Sequence, residues 1–497
     1  MNDMADSSSA PTTAPLATRV VRGSMWVTLG SYWNMGFGFV INIVLTRLLT
    51  PDVFGTYAYA LFFITLFGVQ PKLGTGYAYA HSEDNSDQGL STYVAMDFLA
   101  ALGGFVITLI ALPFLPTSIR QITLVLSAIA ILQNMASTFG VLLEKEFRFA
   151  QTSLPGIVIN VVSYAPAVLL AMKGAGIWAL VAQNMVVGVF SFMVGAWLLR
   201  EQLNRVLRVH LRFDKLFARM LLRFGVVTGL SFFAGGILTQ MDNFMVATFV
   251  SVTTLGFYDR GYRLAQWPAL LFNGLSARVG FYTYAKLQHD KVRLEKMMSY
   301  MLWAITTIAL PLAVVLFITA PDLITFLYTD RWLPAVPYVR ILVLASAVRP
   351  LWENAGSYLI AVGKPHLTTR FTVLQVLVLG ASGVPLTLAF GAIGTCIAVG
   401  LAVLAGIALV YRYLSREIHV QLKSLVGLPL LISAFILVGY VLANRYTPID
   451  MLAVPLRLVI KAAYVSIVFF GTTYILHPLA TRERIAYIWR MASGKAL

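Results

Sequence analysis

Eight basic and four acidic residues fall inside otherwise apolar runs of this sequence: Arg47, Arg260, Arg263, Arg278, Arg340, Arg349, Arg457 and Lys461, with Asp97, Asp242, Asp259 and Glu353. A charge at the centre of a bilayer costs at least about 2.5–3.5 kcal/mol, so each must face a watery cavity, pair, or snorkel to an interface. Arg278, Arg340 and Asp97 lie near the ends of their runs, where snorkelling suffices. The others fall on polar stripes at helical spacing. Ser31, Asn34, Gly38 and Asn42 lead to Thr46 and Arg47; Thr228, Ser231, Gly235, Thr239 and Asp242 lead to Asn243; Asp259, Tyr262, Arg263 and Gln266 follow; Ser346, Arg349, Glu353 and Ser357 complete the set. Each set occupies one face of a helix, and four such faces can line one cavity. Two i,i+4 pairs, Asp259–Arg263 and Arg349–Glu353, can simply neutralise themselves. Arg47 and Arg260 then remain without a near neighbour of opposite charge. Arginine grips phosphate and carboxylate bidentately, so a net-positive cavity suits an anion. Asp242 is the most isolated acid and either holds a coupling cation, Na+ or H+, or pairs with Arg47. Arg457 and Lys461, one turn apart, either snorkel or form a basic edge beside a lipid groove.

The elements that carry these residues are membrane spans. The chain of 497 residues is 59% hydrophobic and 12% charged, with a mean hydropathy of +0.78. Soluble chains carry about 25% charge. That excludes a soluble enzyme, a disordered regulator and a nucleic-acid-binding module. The single cysteine, Cys396, excludes a disulfide framework. The apolar runs are continuous rather than alternating, which excludes a β-barrel. At roughly 20 residues per span, the sequence predicts an all-α polytopic fold of about 14 transmembrane helices, near 23–47, 53–74, 91–115, 120–141, 153–172, 175–199, 222–250, 255–280, 297–320, 334–361, 368–388, 391–411, 424–443 and 452–476. Gly174, Gly176, Gly391 and Gly394 suit tight turns between neighbouring helices.

The net charge of +16 fits the positive-inside rule. With the N-terminus inside, 25 of the 37 basic residues fall in inside segments and four, Arg120, Lys173, Arg331 and Arg445, outside. Residues 1–22 read as a disordered cytoplasmic leader rather than a signal peptide, since no basic residue precedes Arg19. Residues 200–221 read as an amphipathic cytoplasmic linker suited to anionic lipid, and Thr481–Met491 as a second such segment. No histidine sits mid-span, and no GxxxxGK[ST] motif is present, so the sequence offers neither a metal site nor an ATP motor. The outside loops are short, which disfavours a polymerase or ligase working on the outer face.

Shifting the chain by 201 residues places Asn42 on Asn243, Thr50 on Ser251, Gly55 on Gly256 and Tyr57 on Tyr258. The predicted organisation is therefore two parallel six-helix lobes, 23–199 and 222–411, followed by two further helices and a tail in 412–497. Parallel repeats about the membrane normal are a transporter architecture with the substrate path between the halves.

The stretches LTRLLTPDVFGTYAYA (45–60), LEKEFRFAQ (143–151), MDNFMVATFVSVTTLGFYDRGYRLAQWP (241–268) and AVGKP (361–365) resemble, in order, the polysaccharide transporters of the multidrug/oligosaccharidyl-lipid/polysaccharide exporter superfamily. The resemblance covers nearly the whole chain. It implies a flippase, not an enzyme, that moves an undecaprenyl-diphosphate-linked oligosaccharide from the inner to the outer leaflet of the bacterial plasma membrane by alternating access. That transport would serve O-antigen, capsule or exopolysaccharide assembly. It further implies two lobes around a basic cavity lined by Arg47 and the Asp259–Arg263 region, no resident cofactor, cytoplasmic termini, and polymerase and chain-length machinery as partners. A lipid II flippase and a multidrug exporter of the same superfamily are the alternatives within this class; a membrane-embedded polysaccharide polymerase or ligase is the alternative outside it.

Overall fold

The computed structural model describes residues 16–69, 73–84, 86–208, 213–274, 280–418, 423–444 and 452–476, with isolated positions up to 486. All regular structure among them is helical. In chain order the helices are α1 (Leu16–Leu48), α2 (Pro51–Phe67), α3 (Thr75–His81), α4 (Asp87–Ala111), α5 (Thr117–Lys145), α6 (Phe149–Met172), α7 (Ile177–Leu198), α8 (Arg200–Arg208) and α9 (Lys215–Phe249). They continue as α10 (Val252–Ala265), α11 (Trp267–Gly274), α12 (Phe281–Leu287), α13 (Lys291–Leu327), α14 (Val336–Ala361), α15 (Pro365–Phe390), α16 (Ala392–Leu414), α17 (Leu428–Asn444) and α18 (Val454–Leu476). Among the described residues ten helices are long and apolar enough to cross a membrane, or eleven if the bent α9 counts as one span; α2 is a shorter apolar helix. The chain is an all-α, multi-pass membrane protein.

The turns form where glycine permits them. Gly174 (φ 75°) joins α6 to α7 and Gly391 (φ 61°) joins α15 to α16, both in backbone regions that L side chains rarely adopt.

Three local expectations change. The span predicted at 255–280 is broken after Ala265, because Pro268 cannot donate a hydrogen bond to the preceding turn and a new helix, α11, starts at Trp267. The linker predicted as one amphipathic helix over 200–221 is two helices. Asp214 accepts hydrogen bonds from the backbone N–H groups of Leu216 (2.8 Å) and Phe217 (3.0 Å), and so opens α9 at Lys215. Phe217, Ala218 and Leu221 are core residues rather than a surface face. Asp97 does not snorkel; it is fully buried. Arg278 and most of Thr481–Met491 lie outside the described residues.

The helices cluster into two compact units, Met1–Leu48 with Phe67–Leu230 and Leu49–Leu66 with Ser231–Leu497. The units thus cut the chain differently from the predicted lobes: α2 belongs with the later helices, and the division on the other side falls inside α9. In the first unit, α6 packs between α1 and α7, and α5 packs against α4 and α7. Its aromatic core stacks Tyr79 on Tyr93 at 4.3 Å, surrounded by Phe139, Leu142, Phe217 and Leu221. Asp97 accepts from Thr138 Oγ1 at 2.7 Å and from Thr75 Oγ1, which satisfies a carboxyl that sees no solvent.

In the second unit, α13 and α14 form the main core through Met297, Met298, Met301, Trp303, Leu351 and Tyr358. Helices α17 and α18 pack onto α13 through Val314, Ile318, Ile436, Val465 and Phe469. The reason α2 joins this unit is a crossing of two glycines. A Cβ on Gly55 would overlap the Val252 carbonyl oxygen, and one on Gly256 would overlap the Pro51 carbonyl oxygen. Residues 201 positions apart therefore touch each other in pairs: Gly55 meets Gly256, and Thr253 Oγ1 donates to Asp52.

Candidate functional site

Five of the candidate residues converge in the second unit on α10 and α14. The N-cap Ser251, whose hydroxyl accepts from Thr254 N at 3.1 Å, sets the start of α10 and hence its register. Asp259 then lies one residue before Arg260 and one turn before Arg263. Its Oδ2 accepts from Arg260 Nη2 at 2.6 Å and Nε at 3.0 Å, and from Arg263 Nε at 3.1 Å. Arg260 therefore does have a counter-charge, its immediate neighbour, contrary to the expectation that it stands uncompensated. Its buried guanidinium also lies 4.0 Å from the centre of the Phe54 ring on α2, a cation–π contact.

On α14, Arg349 Nε meets Glu353 Oε1 at 3.3 Å, and Arg349 Nη1 donates to the Tyr262 hydroxyl at 3.4 Å. That second contact ties the α14 stripe to the α10 stripe. Arg349, Glu353, Tyr262, Trp352, Gln375 and Thr239 are among the residues lining a cleft of about 80 Å³. Gln375, which sequence reasoning missed, is buried, and its Oε1 has no hydrogen-bond partner among the described residues. No charge or repeat marks it; a lone glutamine in an apolar run was the available signal.

Asp242, on α9, is buried beside these groups. Tyr258 donates its hydroxyl to Asp242 Oδ2 at 2.7 Å, and Asn243 N donates to Oδ1 at 2.9 Å. The Asn243 side chain donates to Gln240 Oε1 at 2.9 Å. Among the described residues no group of three or more His, Cys, Asp or Glu side chains is arranged to hold a metal ion.

Formally the cluster of Arg260, Arg263 and Arg349 with Asp242, Asp259 and Glu353 is neutral. Accessibility is not. The Arg263 side chain is 49% exposed and that of Arg349 31%, against 12% for Asp259 and 23% for Glu353. An approaching group meets guanidinium before carboxylate. A guanidinium has five N–H donors, and the salt bridges of Arg263 and Arg349 engage only part of that set.

The stripe on α1 belongs to the first unit. Asn42 Nδ2 donates to Gly38 O at 2.8 Å, Thr46 Oγ1 donates to Asn42 O at 2.7 Å, and Arg47 is exposed in the last turn, where a cation complements the helix dipole. The Asn34 Oδ1 is buried without a hydrogen-bond partner among the described residues.

The two basic residues of α18 do not form an open edge. Lys461 Nζ lies 2.7 Å from Asp322 Oδ2, and Arg457 Nη1 lies 3.0 Å from Asp322 Oδ1, with Lys461 also 5.7 Å from the Tyr440 ring centre. Asp322 and Lys461 are both buried. The predicted basic edge is a buried ion triad that fastens α18 to α13. Asp322 was missed because the ninth span was ended at 320, two residues short of it; the charge within that apolar run was the visible signal.

Solved structures share this arrangement of helices. The lipid II flippase MurJ in an inward closed conformation superposes with a TM-score of 0.70 at 12% identity, covering 92% of this chain and 99% of that one. An inward-facing multidrug-resistance MATE transporter of the MOP superfamily gives 0.62 at 15%, covering 76% and 94%. At these identities the likeness is one of fold. By sequence, the chain is 22% identical over 62% of its length to the teichuronic acid biosynthesis protein TuaB of Bacillus subtilis, covering 64% of that protein. It is 23% identical to the lipopolysaccharide biosynthesis protein WzxC of Escherichia coli, over 72% of this chain and 73% of that one. It is 24% identical to the succinoglycan biosynthesis transport protein ExoT of Rhizobium meliloti, over 70% of each. A family model described as "polysaccharide biosynthesis protein" matches residues 44–337, which span the glycine crossing and the α9 and α10 members of the cluster and end short of Arg349 and Glu353, so the chain belongs to the polysaccharide biosynthesis protein family.

Proposed function

We propose that this chain is a flippase that carries a lipid-diphosphate-linked oligosaccharide across the bacterial plasma membrane for exopolysaccharide, capsule or O-antigen assembly. One observation carries the reading: in a multi-pass chain of a polysaccharide biosynthesis family, the accessible members of the α10–α14 cluster are the guanidiniums of Arg263 and Arg349, with their balancing carboxylates set deeper. A diphosphate is dianionic or more, and arginine binds it through paired N–H donors. The Tyr262 hydroxyl between the two stripes holds Arg349 in place.

The transport cycle is alternating access without covalent chemistry. The diphosphate and its sugars enter a cavity open to the cytoplasm, while the undecaprenyl tail stays in lipid. Arg263 and Arg349 hold the headgroup. Asp242 is the coupling site for Na+ or H+: its carboxyl is held by Tyr258 and Asn243 rather than by an arginine side chain in the hydrogen bonds seen, consistent with a site that gains and loses a cation. Basic loops hold both termini in the cytoplasm, and polysaccharide polymerase and chain-length machinery receive the flipped unit.

The test is complementation of a strain lacking this gene. Arg47→Ala, Arg263→Ala and Arg349→Ala are each expected to lower surface polysaccharide severalfold at unchanged protein level. Wild-type polymer from all three refutes the basic-cavity reading. The MurJ-like fold keeps a lipid II flippase as the second reading; rescue of a strain depleted of its lipid II flippase, without effect on surface polymer, selects it.

A further inference from the structure

The first unit holds a groove that the transport reading does not use. It lies between α5, α6 and α7, has a volume of about 380 Å³, and is floored by Gly140, Gly156, Ile159, Val187 and Val194. A Cβ built on Gly140 or on Gly156 would meet nothing within 4 Å, so both glycines face open space. Leu198 ends this groove and also lines a second, polar recess of about 280 Å³, together with Arg148, Trp197, Arg200, Glu201 and Arg205. The trough and the polar mouth share Leu198, and Arg148 Nε, in the mouth, donates at 2.7 Å to Gln151 Oε1, which with Gln133, Ser137, Thr152 and Ser191 adds polar groups to an otherwise apolar trough.

We propose that this groove and its mouth bind one anionic glycerophospholipid of the adjacent leaflet, an acyl chain in the trough and the phosphate against the arginines. Three arginines line the mouth against one acid, Glu201. Two more acids engage the arginines: Glu146 bridges Arg148 at 3.1 Å, and Asp87 bridges Arg205 at 3.3 Å. Arg200 instead lies 5.8 Å from the ring centre of Trp197, an exposed indole at the helix end where aromatic residues meet headgroups. Size selects the occupant. Along α7, Val187 to Leu198 spans about 16 Å at 1.5 Å per residue, close to the ~15 Å of one leaflet's hydrocarbon. At roughly 30 Å³ per water- or methylene-sized group, the trough holds about a dozen such groups, the scale of one acyl chain. A polyprenyl carrier overfills it several times. The inference needs only that the unit sits in a bilayer, so it stands apart from the substrate assigned above.

The full chain, purified in mild detergent, is tested by native mass spectrometry and by reconstitution into nanodiscs of phosphatidylglycerol or phosphatidylcholine. The wild type is expected to retain about one phosphatidylglycerol per chain and to gain thermal stability from it. Gly140→Leu with Gly156→Leu fills the trough and replaces two helical glycines by a better helix former, so it is expected to lose the retained lipid at undiminished melting temperature in detergent. Gly103→Leu, on α4 and also facing open space, serves as the control and retains the lipid. Arg148→Gln with Arg200→Gln is expected to reduce the preference for phosphatidylglycerol over phosphatidylcholine about tenfold. Lipid retained undiminished by the double leucine variant overturns the proposal. So does equal retention of the two phospholipids by the wild type, or recovery of a polyprenyl phosphate in place of a glycerophospholipid.

Discussion

Replacing Asp322 by asparagine tests how the last two helices are held. Asp322 is the acceptor shared by Lys461 at 2.7 Å and Arg457 at 3.0 Å, and both Asp322 and Lys461 are only 5% exposed by side chain. Asparagine keeps the shape but removes the charge and presents N–H donors to two cations. Removing one partner of a buried ion pair costs about 3–5 kcal/mol, because the charge left behind keeps its desolvation penalty. Arg457 is 21% exposed and recovers some hydration, so most of the loss arises at Lys461. A single Lys461→Met substitution leaves the Arg457–Asp322 pair intact and is expected to cost well under half as much. Asp322→Leu, Arg457→Leu and Lys461→Met together remove all three charges where Val314, Ile318, Val465 and Phe469 already pack α18 on α13, and are expected to restore most of the lost stability, as apolar replacement of buried ion groups often does. The assay is the thermal unfolding of the purified proteins in one detergent, followed by size-exclusion recovery after heating. The ordering is the prediction: Asp322→Asn lowest, Lys461→Met close to wild type, and the triple variant well above Asp322→Asn. An Asp322→Asn variant as stable as Lys461→Met, or a triple variant no better than Asp322→Asn, refutes the triad as the fastening.

Gly55→Ala is expected to prevent accumulation of folded protein, since its Cβ has backbone rather than a flexible side chain in its way; Western blotting of membranes against Gly103→Ala, which has open space and gains about 1 kcal/mol of helix propensity, checks this. Asp242→Asn is expected to leave the fold intact, because an amide still accepts from Tyr258, while making export insensitive to the ion gradient; a variant whose polymer output still tracks the gradient removes Asp242 from coupling. The loop pair Lys364–Glu417 gives a pH dependence. Burial pushes the Glu417 carboxyl up, but hydrogen bonds from Lys364 and Tyr413 and the lysine charge outweigh it and hold it below its ordinary 4.5, whereas the same bonds raise Lys364. A depressed carboxyl contributes stability that is present above 4.5 and lost as pH falls through its folded value. The melting-temperature gap between wild type and Glu417→Gln is therefore expected to be flat from about pH 6 to 9 and to close under stronger acid; a gap that persists or widens there counts against the pair.

The sequence carried the fold at the level where hydrophobicity decides it. Continuous apolar runs admit only helices in lipid, since every backbone group must be bonded within its own segment, and the tight turns at Gly174 and Gly391 were visible as glycines. The 201-residue repeat also pointed to a real contact, but not to its form: Gly55 and Gly256 touch because neither has a Cβ, and that places α2 with the later helices, an outcome of close approach that periodicity does not encode. Helix periodicity likewise found the i,i+4 pairs Asp259–Arg263 and Arg349–Glu353. It missed Asp322, which pairs with residues 135 and 139 positions away, and the Asp97–Thr138 bond between α4 and α5. Contacts across helices depend on which faces meet, and the pattern along one helix is silent on that.

The bearing of the α10 cluster on an anionic substrate turns on depth rather than on count. Three arginines and three carboxylates sum to zero, and at long range such a cluster exerts little pull. A phosphate at the proposed site, however, would bind at contact distance. There Asp259 is less accessible than Arg263, while Arg260 is buried deeper still, and Asp242 is turned toward Tyr258. The carboxylates then orient and fix the guanidiniums, which lowers the entropy lost on binding, while their depth limits the repulsion the phosphate feels. A neutral cluster also costs less to keep in a membrane than three bare arginines when no substrate is bound. If the cluster is the diphosphate site proposed above, the same design makes binding reversible: release of the diphosphate returns each guanidinium to a carboxylate already in place, rather than stranding a charge.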